Sequence, residues 1–253
     1  MTAPSCSVKI AVVTGGSSGI GAATCRLLAA DGFTVVIGYH AGRERADALA
    51  AALPGAGHRS QQITNEDSAS IAALVAAVQA HFGRCDVLVN SGGTTQPIPH
   101  ARLDELTDAI FDRILTANVR GPFAVIRAMV PLLRTSAAAP ATSVIVNVSS
   151  ISAFTGQGSN IAYCASKAAL DTMTQSLARV LGPEIRVLCV SPGAVATGFV
   201  AGRGREQLET MATTTPLKRV TEADDVARGI MAAITLLTAS TGTTIVVDGG
   251  RHL

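Results

Sequence analysis

The chain has 253 residues, 48% of them hydrophobic and 15% charged, with a net charge of +2. That length suits one large α/β domain with a sizeable core. Lys and Arg are scattered without a basic stripe, which argues against nucleic acid or an anionic membrane as a partner. A composition this apolar, with no uninterrupted apolar run of spanning length, predicts helix surface covered by copies of the same chain, a homo-oligomer.

The opening MTAPSCSVKI lacks a cationic start followed by an apolar stretch. Cys6, Cys25, Cys85, Cys164 and Cys189 are odd in number, widely spaced and without a CxxC pair. Both features suit a reducing, cytoplasmic setting without disulfides, and no cluster of ligands calls for a metal. Residues 8–14, VKIAVVT, read as a short buried strand stopped by Gly15 and Gly16. Gly15, Gly19 and Gly21 follow at GxxxGxG spacing and lead into a helix with apolar Ala22, Leu27 and Leu28. Glycines there permit a tight turn and let the backbone approach a pyrophosphate, whose charge a helix N-terminus favours. The strand before and the helix after make this a candidate dinucleotide site.

Residues 33–38 form the next strand, and Tyr39-His40-Ala41-Gly42-Arg43-Glu44-Arg45 follows where an acid commonly binds a ribose 2′-hydroxyl. No acid stands at the strand end. His40, Arg43 and Arg45 could instead neutralise a 2′-phosphate, so NADP(H) is the preferred cofactor and NAD(H) a possible one. Residues 58–63 read as a third strand and 66–81 as an amphipathic helix. Residues 85–90 form a fourth strand that delivers Asn90-Ser91-Gly92-Gly93 to the carboxyl edge, where open parallel sheets bind ligands. A long helical region over 103–133 contains Asn118 and is interrupted at Gly121-Pro122. Asn is a poor helix former, so its amide is expected to turn toward a ligand, water or a lysine.

Residues 143–149 form the fifth strand and end beside Ser150. The helix over 161–181 then carries Tyr163 and Lys167, four apart and hence on one face. Such a pair alone is more often a surface contact. With a nearby cation, however, a phenol of pKa about 10 can be drawn toward neutrality and exchange a proton with an alcohol or carbonyl, while Ser150 holds the reacting oxygen. Residues 185–190 form the sixth strand, and Ser191-Pro192-Gly193-Ala194-Val195-Ala196-Thr197 leaves it on the crevice side. The polar, glycine-containing stretch 194–218 reads as a lid. A helix over 223–237 and a strand over 244–248 complete an α/β, doubly wound, seven-stranded sheet in one domain spanning 1–253.

These motifs together resemble the classical short-chain dehydrogenase/reductase family along nearly the whole chain. Thr14 to Gly21 matches TGxxxGIG, Asn90-Ser91-Gly92-Gly93 resembles NNAG, Ser150 with Tyr163 and Lys167 matches the Ser and YxxxK set, and Pro192-Gly193 with Thr197 matches PGxxxT. The resemblance implies a Rossmann-type sheet of order 3-2-1-4-5-6-7 and a homotetramer, or less often a dimer, paired through the helices near 103–133 and 161–181. It implies cofactor contacts at Gly15, Ser17, Ser18, Gly19, Ile20, Tyr39, His40, Arg43, Asn90, Gly92, Tyr163, Lys167, Pro192, Gly193, Val195 and Thr197. It also implies that Asn118, Ser150, Tyr163 and Lys167 are catalytic, with Lys167 lowering the pKa of Tyr163 and Asn118 holding a relay water. Departures are Gln62 where an Asp is usual near the adenine, Ser91 and Gly93 in place of Asn and Ala, and Leu188 in place of a common Asn. The expected activity is NAD(P)(H)-dependent interconversion of a small-molecule ketone or aldehyde and an alcohol. A 3-oxoacyl-[acyl-carrier-protein] reductase and a sugar or polyol dehydrogenase are the alternatives, and a non-catalytic nucleotide sensor is the reading from a different class.

Overall fold

The computed structural model describes residues 8–137 and 142–253; Cys6 and the first seven residues of the segment read for a leader lie outside them. The strands are β1 Ile10–Thr14, β2 Thr34–Tyr39, β3 Arg59–Gln62, β4 Val87–Asn90, β5 Ser143–Val148, β6 Ile185–Pro192 and β7 Thr244–Val247. The helices are α1 Gly19–Ala30, α2 Arg43–Ala52, α3 Ser68–Phe82, α4 Asp108–Leu115, α5 Gly121–Ser136, α6 Ser152–Thr155, α7 Ile161–Leu181, α8 Arg205–Ala212 and α9 Ala223–Thr235. All strand pairs are parallel, in the order β3-β2-β1-β4-β5-β6-β7. The expected sheet is therefore present, with strand order reversing between β1 and β4.

Both faces of this sheet are covered, which is why its central strands read as unbroken apolar runs. Alternate residues supply the two layers. Ala11, Val13, Val35 and Ile37 pack with Leu28 of α1 and Ile230 of α9. Val12, Val36, Leu88 and Ile145 face the other way, against Leu74 of α3, Met129 and Leu133 of α5 and Leu181 of α7. Leu188, in the place of the common Asn, is fully buried in the first layer, so packing stands where a polar contact was in doubt.

Two segments depart from the sequence reading. The helical region expected over 103–133 is broken: a 3-10 turn at Leu103–Glu105 precedes α4, and a π-helical turn, Thr116–Arg120, joins α4 to α5. Thr107 caps α4 by accepting from the Ile110 amide, and Pro122 at the start of α5 has no N–H to lose. The lid segment contains a helix, α8, held by the buried Leu208 and Ala212 and by Arg205, which pairs with Glu209 and Glu222. Its polar composition hid it. Among the described residues no helix is long and apolar enough to cross a membrane.

Candidate active site

The carboxyl ends of the strands open into a cleft of about 1020 Å³. Its first wall is the turn from β1 into α1. Gly15 has φ +65°, and a Cβ there would lie 2.8 Å from the Gly92 nitrogen; one on Gly21 would lie 2.2 Å from the Gly15 carbonyl oxygen. Only glycine allows this turn to pack so closely. The Gly92 amide donates to the Thr14 hydroxyl at 3.2 Å, tying β1 to the loop after β4. Ser18 begins α1 without a side-chain cap, and Gly15, Ser18, Gly19 and Ile20 line the cleft. Open amides at a helix start, with no Asp or Glu among the lining residues, fit a dinucleotide pyrophosphate.

The reactive end is set by β5 and α7. Asn160 caps α7 by accepting from the Tyr163 amide at 2.7 Å, and its own amide donates to the Gln96 carbonyl at 2.7 Å. That pair of bonds fixes the first turn of the helix against the loop after β4, a role the sequence reading did not assign. Ser150, Tyr163 and Lys167 all line the cleft; the Ser150 hydroxyl donates to the Ser152 hydroxyl at 3.1 Å and is close enough to act on the Tyr163 phenol. The Lys167 ammonium donates to the Val148 carbonyl at 2.8 Å and lies 5.7 Å from the Tyr163 ring centroid. Burial pushes the Tyr163 phenol up to about 12, with the nearby Ser150 hydroxyl opposing it only in part. Burial also brings Lys167 down to about 8. The expected lowering of the Tyr163 pKa is thus not found: desolvation dominates, and the Lys167 ammonium is directed at a backbone carbonyl.

Of the other expected contacts, Gly92, Pro192, Gly193, Val195 and Thr197 line the cleft; Ser17, Tyr39, His40, Arg43, Asn90 and Asn118 do not. Asn118 is 1% exposed, and both ends of its amide are committed. Its oxygen accepts from the Thr94 amide at 2.8 Å, and its nitrogen donates to the Thr94 carbonyl at 2.9 Å and the Ser166 hydroxyl at 3.1 Å. It braces the loop after β4 against α7. Asn90 is buried and donates to Asn147 at 2.9 Å, linking β4 to β5. Tyr39 is buried in the core layer under α2. Arg43 reaches Asp47 at 3.6 Å on the surface, His40 is exposed, and the Gln62 amide donates to the His40 carbonyl at 3.3 Å.

The sequence reading missed Phe154, Phe199, Arg203, Arg251 and His252, all of which line the cleft. Phe199 packs against Tyr163 with ring centroids 6.0 Å apart. Arg203 lay in the lid segment without a named task. Arg251 gave no local signal, because it reaches the cleft only through the fold-back after β7, where the Leu217 amide donates to the Gly249 carbonyl. Cys25, Cys85, Cys164 and Cys189 are buried and free, and the described residues contain no group of ligands suited to a metal.

A doubly wound sheet with a glycine turn at β1 and a Ser, Tyr and Lys set at its carboxyl edge defines a dinucleotide-dependent oxidoreductase scaffold. Comparison with known proteins agrees. A family profile described as enoyl-(acyl carrier protein) reductase matches residues 15–252. The chain is 40% identical over 248 residues to cis-4-hydroxycyclohexanecarboxylate dehydrogenase of Sinomonas cyclohexanicum, covering 96% of each protein. It is 32% identical over 250 residues to a 3-oxoacyl-[acyl-carrier-protein] reductase of Staphylococcus aureus, covering 97% of this chain and 98% of the relative. A crystal structure from Burkholderia xenovorans, provisionally assigned as a short-chain dehydrogenase/reductase, superimposes with a TM-score of 0.90 at 37% identity, over 97% of this chain and 98% of that one. The chain belongs to the short-chain dehydrogenase/reductase family, whose members are NAD(P)(H)-dependent oxidoreductases.

Proposed function

We propose that this protein interconverts a ketone or aldehyde and an alcohol, with Tyr163 as the acid/base. The observation that carries the reading is the convergence of the Ser150 and Tyr163 hydroxyls at one end of a cleft that also receives Lys167. Two hydroxyls side by side can hold one carbonyl oxygen, and the protonated phenol can give its proton to that oxygen as it becomes an alkoxide. The nicotinamide cofactor, when bound, supplies or accepts the hydride. Gly15, Ser18, Gly19, Ile20, Gly92 and Thr197 would hold it, with Lys167 near its reactive end. Alcohol and ketone chemistry also agrees with the names of the two relatives, a hydroxy-acid dehydrogenase and an oxoacyl reductase.

The finer reading is a preference for NADP(H) over NAD(H), supported by the lack of an acid at the end of β2 and by His40, Arg43 and Arg45 beyond it. A cytoplasmic homotetramer completes it, supported by exposed apolar side chains on α5 and α7. Absorbance at 340 nm over a panel of ketones, aldehydes and their alcohols tests the activity. Cofactor binding without turnover of any member would overturn it in favour of a nucleotide sensor.

A further inference from the structure

The cleft carries two guanidinium groups for which hydride transfer provides no task. Arg203, just beyond Phe199, and Arg251, just after β7, line it together with Tyr163. Neither side chain has an ion-pair or hydrogen-bond partner among the described residues, whereas the nearby Arg205, Arg219 and Arg228 all engage acids. Arg203 is half-buried, and the charge of Arg251 is close enough to act on it, as is Tyr163. No Asp or Glu lines the cleft; its cationic side chains are Lys167, Arg203 and Arg251, and the His252 ring is held by Asp248 at 2.7 Å. Two cations facing each other in a partly desolvated pocket are unfavourable until an anion joins them.

The position of the pair identifies which anion. The pyrophosphate end of the cleft lies at the start of α1, whereas Arg203 follows the Phe199 ring that packs on Tyr163. Phe154, Phe199, Val200 and Met211 give this end an apolar lining. We propose that Arg203 and Arg251 form an anion subsite that receives the carboxylate of an oxo-acid or hydroxy-acid substrate, with its short apolar body against Phe154 and Phe199 and its reacting carbon at Tyr163. The planar forks of two arginines match a carboxylate, and the apolar lining suits the hydrocarbon between the two oxygen functions. This inference rests on the oxidoreductase reading of the cleft and adds the substrate class.

The test separates the two. Cyclohexanecarboxylate, which has no carbonyl to reduce, is titrated calorimetrically into the protein saturated with NADP⁺, beside cyclohexanecarboxamide and inorganic phosphate. The carboxylate is expected to bind roughly tenfold or more tightly than the amide, as charge-assisted bonds imply, and to outbind phosphate. Arg203→Gln and Arg251→Gln should each remove most of that advantage, Arg203→Lys should keep part of it, and NADP⁺ affinity should change less than about twofold, since the pair is set apart from the α1 end. Equal binding of acid and amide, stronger binding of phosphate, or loss of NADP⁺ affinity in either Gln variant overturns the subsite. A kinetic arm compares 4-oxocyclohexanecarboxylate with its methyl ester. An ester turned over as well as the acid refutes the subsite and leaves the oxidoreductase standing; carboxylate binding without turnover of any carbonyl supports the subsite and refutes the oxidoreductase.

Discussion

Tyr163 and Lys167 share a face of α7, yet the ammonium of Lys167 is spent on the Val148 carbonyl at 2.8 Å and stands 5.7 Å from the Tyr163 ring centroid. The phenol, held near 12 by burial, is protonated at neutral pH and so prepared to donate. Tyr163→Phe deletes the hydroxyl proposed to donate the proton and little volume. Carbonyl reduction is expected to fall roughly 10²- to 10⁴-fold, the usual worth of a general acid, while cofactor affinity measured by fluorescence is retained. Activity within tenfold of wild type would disprove the role assigned to Tyr163.

Lys167 sets a pH dependence of its own. Its pKa is depressed by burial to about 8, so the cation is present below that pH and lost as pH rises through it. Cofactor affinity of the free protein should therefore weaken from pH 7 to 9. In Lys167→Met the affinity should be weak throughout and that pH step absent. A step of equal size in the variant would assign the titration to another group.

The fold was legible because β1, β2, β4, β5 and β6 are buried on both faces and so read as apolar runs, while Gly15 and Gly21 marked a turn that excludes a Cβ. The shared placement of Tyr163 and Lys167 was legible because they are neighbours on one helix. The role of Asn118 was not: its amide is claimed by Thr94 and Ser166, contacts made across 24 and 48 residues that no spacing along the chain reveals. Asn90 misled similarly, because the bond to Asn147 is formed only when β4 and β5 pair. Arg203 and Arg251 are likewise distant in sequence and come to one cleft only after the chain folds back beyond β7.

Cofactor choice can be measured directly. The Arg43–Asp47 pair is exposed and 3.6 Å long, so it holds Arg43 by no more than about 1 kcal/mol and can yield to a 2′-phosphate. NADPH is expected to bind more tightly than NADH, and Arg43→Ala to reduce the ratio, by roughly tenfold if one charge-assisted bond is lost. Tighter binding of NADH would reverse the assignment.

Oligomerisation has a visible candidate surface. Phe123 on α5 and Ile161 and Val180 on α7 are exposed although apolar, as is Leu103 in the turn before α4. Light scattering is expected to give a tetramer, and Val180→Glu to weaken it. A monomeric mass of 25.7 kDa for the wild type would leave these side chains without a partner and refute the expectation.

The buried thiols and Lys167 predict a maximum of stability between pH 8 and 9. Burial pushes Cys25 up to about 12 and raises Cys85 and Cys189 strongly as well. Thiols in the unfolded chain titrate near 9.0, so above that pH the unfolded state releases protons that the native state keeps, and unfolding becomes easier. Each fully titrating thiol contributes about 1.4 kcal/mol per pH unit to that loss. Lys167 has the opposite sign. Its folded pKa of about 8 lies below the unfolded 10.5, so between those values the unfolded chain holds the extra proton and rising pH stabilises the fold. Lys167 dominates below about pH 8.5, and above it the three thiols together outweigh one amine. Urea midpoints of the ligand-free protein between pH 7.5 and 10.5 should therefore rise and then fall. Cys25→Ala should make the fall shallower by about 1.4 kcal/mol per pH unit, and Lys167→Met should remove the rise. An unchanged alkaline slope in Cys25→Ala would show that the thiols do not govern it.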